Sequence, residues 1–453
     1  MRLEGANVLV VGLARSGLAC IELLTGKGAR VTGTDSRALE ELPDAPAVLA
    51  KFSVPFKKQT PTVFHGRDLI VISPGVPFDL PELTMERGRG VRVVGEVELA
   101  SYFLQGPVIG ITGSNGKTTT TALIGHILQS CDIASQVGGN IGIPVASLIA
   151  SSASNLWNVL ELSSFQLENM ENLRARVAVC LNITPDHLDR HKTMDSYAAA
   201  KRRLLENQRK GDWAVLNADD PSVAEFARGI ESEVTWFSLQ GSPIDHGFWL
   251  EGGQIHSGDG NLMPVAEIPL LGMHNVDNVR AAAAASSLAG APLEGIRAAV
   301  RSFPGVEHRI EFVREVSGVR YYNDSKATNV DAALKSLDAF AGGLWVILGG
   351  KDKDSDYSQL AAKLNEKARG VLLIGAAAKK IESQVASALS GGPGIYSCVT
   401  LDAAVREASG RAKPGETVLL APACASFDQF RNYEERGVVF KTLVAALPGR
   451  RGQ

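Results

Sequence analysis

Short apolar runs alternate with longer amphipathic stretches along almost the whole chain. The short runs have the length and β-branched content of buried strands, and the longer stretches have the apolar spacing of helices that cover a sheet. This alternation predicts an α/β protein with parallel sheets rather than a β-sandwich or a helix bundle. The predicted strands span residues 7–11, 69–72, 108–111, 158–162, 177–181, 344–348, 371–374 and 417–420.

These strands fall into three groups, which predict three domains. The first domain is expected over residues 1–104, the second over residues 105–305 and the third over residues 306–453. The alanine-rich run 281–285 is typical of a helix, and the tail 449–453 is expected to be mobile.

Composition narrows the class of protein. The chain has 453 residues and a hydrophobic content of 45%, which is enough for cores in about two to four domains. A formal net charge of -3 provides no basic surface of the kind that nucleic-acid binding needs, so nucleic acid is not an expected partner. No segment has the length of a membrane span. The 5 cysteines are scattered and odd in number, which favours a reducing cytoplasm over a disulfide framework.

The segment 108–119 carries the most informative motif. An apolar strand runs into the turn from Gly113 to Lys117, and a helix is predicted to follow. Such a turn lets backbone N–H groups face a phosphate, while Lys117 can reach the outer phosphates and the Thr118 hydroxyl can hold Mg²⁺. A nucleoside triphosphate is therefore the expected ligand, although Ile111 stands where the usual pattern has its first glycine.

The start of the chain resembles a second nucleotide-binding pattern. Residues 12–17 follow the first predicted strand, and the acidic Asp35 comes about twenty positions later, as in dinucleotide-binding folds. Ala14 replaces the middle glycine of that pattern, and its Cβ would crowd the place where a pyrophosphate approaches the backbone. This departure weakens the interpretation of the chain as a nicotinamide-dependent oxidoreductase.

Polar residues also follow other predicted strands, at the sheet edge where open α/β folds bind ligands. Glu161 ends one strand and is either a magnesium ligand or a cap of the next helix. His187 and His191 have the i, i+4 spacing of a zinc site, but no glutamate adjoins the first and no third ligand is nearby, so one functional histidine is favoured. The basic stretch around Lys201 is interpreted, from periodicity alone, as a solvated helix face.

Three further segments are individually weak signals. Asn275 and Asn278 could present two amides to a purine, or Asn275 could be a helix cap. Arg309 offers a guanidinium that could clamp a phosphoryl group. Segments 323–329 and 422–430 place charged and hydroxyl side chains in apolar surroundings.

In this order, the segments resemble the Mur ligase family of ATP-dependent amide-bond-forming enzymes, over the whole chain. The short phosphate loop 112–118 is similar to that family's own version, which accounts for Ile111. Segments 323–329 and 422–430 are similar to those of the members that add D-glutamate to UDP-N-acetylmuramoyl-L-alanine. The resemblance implies a Rossmann-like N-terminal domain, a P-loop ATPase central domain and a Rossmann-like C-terminal domain.

The resemblance also implies an activity and its partners. The chain would be a cytoplasmic ligase of peptidoglycan precursor synthesis (EC 6.3.2.9), with ATP and Mg²⁺ as cofactors. ATP would phosphorylate the alanine carboxylate, and the D-glutamate amine would attack the acyl phosphate, with closure of the third domain on the second. A monomer without a membrane span or a nucleic-acid partner is expected.

The resemblance assigns roles around ATP and the metals. ATP would be bound by Gly113, Ser114, Asn115, Gly116, Lys117, Thr118, Thr119, Asn275, Asn278, Arg309 and Asp324. Thr118 and Glu161 would hold one magnesium, and His187 and Lys201 the other. Lys201 would carry a carbamate, which turns a cation into an oxygen ligand and reverses the interpretation of a solvated lysine. The catalytic groups would be Lys117, His187, Lys201 and Arg309.

It also assigns the two substrate sites. The UDP substrate would be bound by Arg15, Ser16, Gly17, Asp35, Arg37, Ser73, Gly75 and, from the central domain, Asn140. D-glutamate would be bound by Lys326, Thr328, Lys353, Ser426 and Tyr433. Two positions depart from the expected pattern: Tyr433 stands in place of phenylalanine, and Thr118 in place of the serine of many relatives.

Three other functions stay open on the sequence alone. The first is the nicotinamide-dependent oxidoreductase, and the second is a nucleotide switch or motor that hydrolyses ATP without an acceptor. The third is another ligase of the same family, because folylpolyglutamate synthetase and the ligases that add L-alanine, a diamino acid or D-alanyl-D-alanine share the phosphate loop, Glu161 and His187.

Overall fold

Three sheets with flanking helices make up the chain. A computed structural model describes residues 1–238, 247–389 and 391–448. The described chain divides into two compact units: Met1–Ile268 with Val276–Phe303, and Pro269–Asn275 with the residues from Pro304 onward. The first unit contains a four-stranded and a nine-stranded sheet, and the second unit a six-stranded sheet.

The first sheet is parallel, with the strand order β2-β1-β3-β4. Its strands are β1 (Asn7–Val11), β2 (Arg30–Thr34), β3 (Leu69–Ile72) and β4 (Arg92–Gly95). The helices of this region are α1 (Arg15–Gly26), α2 (Ala45–Lys51), α3 (Pro81–Gly88) and α4 (Glu96–Ser101). All of β3 is buried, which explains its uninterrupted apolar sequence, because helices cover both faces of a parallel sheet.

The second sheet has the order β13-β12-β11-β10-β9-β8-β5-β7-β6. Its strands are β5 (Val108–Thr112), β6 (Ser135–Gly139), β7 (Trp157–Glu161), β8 (Val177–Cys180), β9 (Trp213–Asn217), β10 (Glu233–Ser238), β11 (Gly247–Glu251), β12 (Gln254–Ser257) and β13 (Gly260–Pro264). The helices are α5 (Lys117–Ser130), α6 (Val145–Leu148), α7 (Ser164–Leu167), α8 (Leu188–His191), α9 (Met194–Arg202), α10 (Pro221–Ala224), α11 (Met273–Leu288) and α12 (Leu293–Ser302). Strand β5 lies between β7 and β8, so the loop that follows it opens at the carboxyl edge of the sheet.

The third sheet has the order β14-β15-β19-β16-β17-β18. Its strands are β14 (Glu311–Val316), β15 (Val319–Asn323), β16 (Leu344–Gly349), β17 (Ala368–Ile374), β18 (Gly394–Val399) and β19 (Thr417–Leu420). The helices are α13 (Val330–Asp338), α14 (Ala361–Lys367), α15 (Ala378–Val385), α16 (Leu401–Arg411) and α17 (Tyr433–Ala445). Short 3₁₀ helices span Leu39–Glu41, Pro61–Phe64, Ile149–Ser151, Arg203–Leu205, Glu225–Ala227, Val265–Glu267 and Ser358–Leu360.

The predicted fold class, an α/β protein with three largely parallel sheets, is confirmed. All of the predicted strands are present, and their ends agree within about one residue except for β17, which begins at Ala368. The sheets are parallel except at two edges, where β12, β13 and β14 pair antiparallel, a feature that the sequence analysis did not predict. The alanine-rich run lies in α11 with its side chains buried, and all five cysteines are free thiols. The domain boundaries stay predictions, and the tail 449–453 lies outside the described residues.

Helix length bears on membrane association. Within the described ranges, every helix is too short or too polar to cross a bilayer.

Two buried carboxylates at the start of α4 join the first sheet to the second. Glu96 Oε1 accepts a hydrogen bond from the backbone N–H of Ala146 at 2.7 Å. Glu98 Oε2 accepts two more, from Glu171 at 2.9 Å and Asn172 at 2.8 Å. Both side chains are buried, so these bonds are shielded from water and fix α4 against the central part of the unit.

Glu96 predicts a pH dependence of stability. Burial raises its pKa from 4.5 to about 7, although the backbone N–H groups of Ala146 and Val145 lower it in part. The folded state therefore keeps a proton that the unfolded state loses, and stability falls as pH rises through 7, by as much as about 3 kcal/mol. Glu96→Gln keeps the acceptor for Ala146 and does not titrate.

The free energy of unfolding of Glu96→Gln, measured by denaturant titration, should rise relative to the wild type between about pH 5 and about pH 8. The matched control is Glu22→Gln, at an exposed glutamate of the same region. A difference between Glu96→Gln and wild type that does not change with pH would contradict the assignment.

Candidate active site

The phosphate loop has the strand, turn and helix that its sequence predicts. Strand β5 ends at Thr112, and the 14-residue helix α5 begins at Lys117. Gly113 and Gly116 have φ values of 150° and 85°, which side chains disfavour. A Cβ on Gly116 would also overlap the Asn278 amide oxygen, so a side chain here would have to displace Asn278 as well as adopt this backbone angle.

The segment after β8 holds the loop in shape. The Ser114 N–H donates to the Asn182 carbonyl at 2.8 Å, and the Asn115 N–H donates to Asn182 Oδ1 at 2.8 Å. The Ser114 hydroxyl donates to the Thr184 carbonyl at 3.0 Å. The loop is thus preformed by contacts with the neighbouring strand end, which reduces the ordering that a ligand must impose.

Two lysine side chains meet at one carbonyl of this loop. Lys117 Nζ donates to the Gly113 carbonyl at 2.8 Å, and Lys201 Nζ donates to the same oxygen at 2.7 Å. Lys201 is only 1% exposed, so the interpretation of this lysine as part of a solvated face is wrong. Burial and, second, the charge of Lys117 lower the pKa of Lys201 to about 6, which leaves its amine mainly neutral at pH 7.

Glu161 ends β7 beside this loop and has the character of a cation ligand. Its Oε1 accepts a hydrogen bond from Asn140 Nδ2 at 2.8 Å, while its Oε2 is buried and has no hydrogen-bond partner among the described residues. Helix α7 is capped by Ser163, whose hydroxyl accepts from the Gln166 N–H at 3.3 Å, so Glu161 is not the cap of that helix. A buried carboxylate oxygen left unpaired fits a bound cation.

The two histidines have different surroundings. His187 precedes α8 with a left-handed φ of 53°, is about half exposed, and packs on the Phe165 ring at 4.8 Å. His191 is buried and hydrogen-bonded to the Ser164 hydroxyl at 3.0 Å, and burial lowers its pKa. His187 is therefore the histidine placed to bind a ligand. No set of three or more His, Cys, Asp or Glu side chains in the described ranges is arranged to hold a metal.

The two asparagines of α11 are placed differently. Asn278 packs against the phosphate loop, where its Oδ1 accepts a hydrogen bond from the Thr120 hydroxyl at 3.3 Å. Asn275 belongs to the other unit, and its Nδ2 donates to the Leu271 carbonyl at 2.7 Å. Since α11 already begins at Met273, Asn275 lies inside the first turn and is not the helix cap.

A cavity of 590 Å³ lies at the carboxyl edge of the first sheet. Seven of the eight residues predicted for the UDP substrate line it: Arg15, Ser16, Asp35, Arg37, Ser73, Gly75 and Asn140. The eighth, Gly17, instead brings α1 against the preceding turn, because a Cβ there would overlap the Gly12 carbonyl. The cavity therefore brings together loops of the first sheet and one side chain that also contacts Glu161.

Asp35 organises one wall of this cavity. Its buried carboxylate accepts from the Leu13 N–H at 2.8 Å and from the N–H and Nε of Arg37 at 3.0 and 3.2 Å. Burial alone would raise the pKa of Asp35, but the hydrogen bonds from Arg37 and Leu13 outweigh burial and lower it. Arg37 is thus held at the cavity edge with its guanidinium about half exposed.

In the second unit, the two predicted segments meet at the carboxyl edge of the third sheet. The Ala423 N–H donates to the Ala327 carbonyl at 2.9 Å, which joins the loop after β19 to the loop after β15. The segments that carry Thr328 and Ser426 are therefore neighbours.

In one of these segments, Asp324 accepts a hydrogen bond from the Ser336 hydroxyl. Burial raises the pKa of Asp324, although the charge of Arg309 opposes this.

Two more predicted residues lie near this edge. Lys326 Nζ lies 5.4 Å from the centre of the Tyr433 ring. Lys353 is exposed in the loop after β16, two residues beyond Lys351, whose N–H donates to the Ala425 carbonyl at 2.8 Å.

Arg436, which the sequence analysis did not identify, holds this edge together. It is 1% exposed, and its five hydrogen bonds go to the hydroxyl and carbonyl of Ser325 and the carbonyls of Cys424 and Ala425, at 2.8 to 3.4 Å. The Ser325 hydroxyl donates in turn to the Tyr433 carbonyl at 2.8 Å. The sequence signal was an arginine on the face of α17 that Phe440 and Val444 place in the core.

Three family models match consecutive parts of the chain. Residues 6–95 match the Mur ligase MurD-like N-terminal domain, residues 111–286 match the Mur ligase middle domain, and residues 308–424 match the Mur ligase glutamate ligase domain.

Similar proteins span the same length. The chain is 55% identical over 447 residues to UDP-N-acetylmuramoylalanine–D-glutamate ligase of Solibacter usitatus, with 99% of each chain covered. It is 50% identical to the proteins of the same name from Acidobacterium capsulatum and Koribacter versatilis, with 99% of this chain and 98% and 99% of those chains covered. The chain belongs to the Mur ligase family, as its motifs predicted.

Solved structures share the fold. UDP-N-acetylmuramate-alanine ligase MurC from Thermotoga maritima superimposes with a TM-score of 0.62 at 19% identity, covering 97% of this chain and 100% of that chain. A pseudomurein peptide ligase type C from Methanothermus fervidus gives 0.57 at 20% identity, with 97% and 99% covered. At these identities the likeness concerns the fold alone.

The role of Arg436 predicts a large loss of stability on its removal. Arg436→Met keeps much of the side-chain volume but leaves buried carbonyls without a donor, so the free energy of unfolding of the second unit should fall by about 3 kcal/mol. The control is Arg431→Met, since the Arg431 side chain is 86% exposed and forms an ion pair with the nearby Glu435. That variant should change stability by less than about 0.5 kcal/mol. Equal midpoints for the two variants in a denaturant titration would contradict the role of Arg436.

Proposed function

We propose that the chain is an ATP-dependent ligase that joins D-glutamate to UDP-N-acetylmuramoyl-L-alanine in the cytoplasmic synthesis of peptidoglycan precursors (EC 6.3.2.9). Relatives at 50% to 55% identity over nearly the full chain carry this activity in their name. The observation that carries the proposal is the position of Asn140, which lines the 590 Å³ cavity and donates to Glu161 beside the phosphate loop. A nucleotide-linked substrate in the cavity would extend its carboxylate toward a phosphate donor.

The proposed ATP site is the phosphate loop and its neighbours. Backbone N–H groups of residues 113–119 would surround the phosphates, and Lys117 would exchange its bonds to the loop carbonyls for the outer phosphates. Asn278, packed on the loop, and Asn275 would face adenine, Arg309 the γ-phosphate and Asp324 the ribose.

We assign two magnesium ions to this site, held by hydroxyl, carboxylate, imidazole and carbamate groups. Thr118 and Glu161 would hold one, and the unpaired Oε2 of Glu161 supports this. His187 would hold the other with Lys201 as a carbamate. When bound, the ions supply positive charge that screens two approaching anions. The neutral Lys201 amine is suited to form the carbamate, because its nitrogen lone pair must attack the carbon of CO₂ and then release a proton.

The proposed reaction proceeds in two displacements. An oxygen of the alanine carboxylate attacks the γ-phosphorus of ATP, and the bond to ADP breaks. The D-glutamate amine then attacks the carbonyl carbon of the acyl phosphate, phosphate leaves with the bonding electrons, and the amine loses a proton. Lys117 and Arg309 would stabilise the charge on the transferring group, and positioning provides most of the rate enhancement.

The two substrates would bind at the cavity of the first sheet and at the carboxyl edge of the third sheet. Arg15, Ser16 and the turn at Gly75 would bind the diphosphate, and the anchored Arg37 with Asp35 the uracil end. Lys326, Thr328, Ser426, Tyr433 and Lys353 would bind the D-glutamate carboxylates. Lys326 and Lys353 bring the two positive charges that a dicarboxylate needs. We propose domain limits at residues 1–104, 105–305 and 306–453, and a monomeric chain.

The function predicts which amino acid is used. With ATP, Mg²⁺ and UDP-N-acetylmuramoyl-L-alanine, ADP release should require D-glutamate and should be absent with L-glutamate, L-alanine, diamino acids and D-alanyl-D-alanine. Lys117→Ala serves as the inactive control, because loss of one charge-stabilising donor lowers the rate by about 100- to 1,000-fold. Preference for another amino acid would show a different ligase of the family, and ADP release without an acceptor would show a nucleotide switch.

The proposed carbamate predicts chemical rescue. Lys201→Ala should lose nearly all activity, and a short carboxylate such as acetate should restore part of it by supplying the missing oxygen ligand. The control is Arg202→Ala, which removes the next side chain of α9, one that donates instead to the Arg228 carbonyl. Full activity of Lys201→Ala in steady-state assays would contradict the role of this lysine.

A further inference from the structure

We propose that Arg190 is a positioning residue that sets the distance between the two ends of the bound acceptor substrate. Its guanidinium bonds to two residues that line the cavity of the first sheet and also packs on the Phe165 ring, which contacts His187. No role for Arg190 follows from the motifs above. The inference rests on the proposed function, since it concerns the substrate of that reaction.

On one side, Arg190 holds the turn at Gly75. Its Nη1 donates to the Pro74 carbonyl at 3.2 Å and its Nη2 to the Val76 carbonyl at 3.4 Å. These are the residues before and after Gly75, and all three line the cavity. The peptide groups around Gly75 are thus oriented by one side chain from the central part of the unit, at the place proposed for the substrate diphosphate.

On the other side, the same guanidinium is fixed next to His187. Its Nη2 donates to Glu168 Oε2 at 2.7 Å, and its central carbon lies 4.4 Å from the centre of the Phe165 ring. That ring packs on His187 at 4.8 Å and on His191 at 5.5 Å. Arg190 itself lies three residues after His187 in α8, so a shift of this turn would move the arginine as well.

The contacts require an arginine. Three acceptors lie around one planar group, and the guanidinium offers several N–H donors in fixed directions while its face stacks on an aromatic ring. A lysine would place a single ammonium group and could not reach both carbonyls and Glu168 together. Only 16% of the Arg190 side chain is exposed, so little water reaches these hydrogen bonds to weaken them.

An acceptor substrate that reaches from the Gly75 turn to His187 will therefore react well only if Arg190 keeps these two parts of the site at the right distance from each other. Its diphosphate is bound at the Gly75 turn and its carboxylate reacts near His187 and Glu161. Misplacement of reacting groups by about 1 Å lowers rates by about 100-fold. Loss of Arg190 should thus affect the acceptor substrate more than ATP or D-glutamate.

The test compares Arg190→Gln and Arg190→Lys with the wild type and with Arg92→Gln. Arg92 is a matched control, because it also joins the first sheet to the central region, through Glu171 Oε2 at 3.1 Å, but its partners Glu171 and Tyr102 do not line the cavity. The measurements are kcat/KM for UDP-N-acetylmuramoyl-L-alanine, KM for ATP and D-glutamate, and the Kd of UDP alone by calorimetry.

We expect kcat/KM for the acceptor to fall by about 10- to 100-fold in Arg190→Gln, with KM for ATP and D-glutamate changed by less than about twofold. The Kd of UDP should rise, but by a smaller factor, since UDP occupies only one end. Arg190→Lys should recover little, and Arg92→Gln should resemble the wild type.

Several results would overturn the proposal: an unchanged Kd for UDP, equal losses for Arg190→Gln and Arg92→Gln, a full recovery with lysine, or a uniform loss toward all substrates. The UDP measurement does not depend on catalysis. It therefore tests Arg190 even if the wild type makes no product with D-glutamate, a result that would refute the proposed function instead.

Discussion

The carbonyl oxygen of Gly113 accepts hydrogen bonds from two lysines, and the phosphate loop depends on this shared acceptor. Lys117 comes from the helix that the loop opens, and Lys201 from a helix much later in the chain. Two ammonium groups at one buried acceptor repel each other, so burial and repulsion together lower the pKa of Lys201 to about 6. The loop thereby holds one cation and one neutral amine side by side, two groups of different reactivity.

Much of the fold could be predicted because buried parallel strands are continuous in sequence. Strands β1, β3 and β19 have the bounds that their largely apolar sequences predicted. The antiparallel edge strands could not be recognised in this way. In β14, for example, three positions are partly buried, two are exposed and only one is buried, so no continuous apolar run marks the strand. Its pairing with β15 depends on a partner rather than on its own pattern.

The residues of the site also divide into those that could be predicted from the sequence and those that could not. The cavity residues came from the family resemblance, which assigned eight of them to the UDP substrate, and seven of the eight line one space. For Glu161, the structure removes the alternative of a helix cap, because Ser163 caps α7, and the role as a magnesium ligand stays a prediction. Lys201 and Arg436 depend on contacts across 88 and 111 residues, to Gly113 and Ser325, which periodicity cannot reveal. Only the family resemblance corrected the interpretation of Lys201, and nothing in the sequence analysis identified Arg436.

The bonds of Arg436 have a consequence for how such a protein changes in evolution. They fix main-chain carbonyls and one small hydroxyl, whereas the side chains proposed to select the amino acid, such as Lys326, Ser426 and Tyr433, are not among its partners. The backbone frame of this sheet edge is thus separate from the side chains proposed to bind the amino acid. Under the proposed function, single substitutions would alter the amino-acid preference while the backbone that presents those side chains stays in place, so a lineage could acquire a new preference without rebuilding its fold.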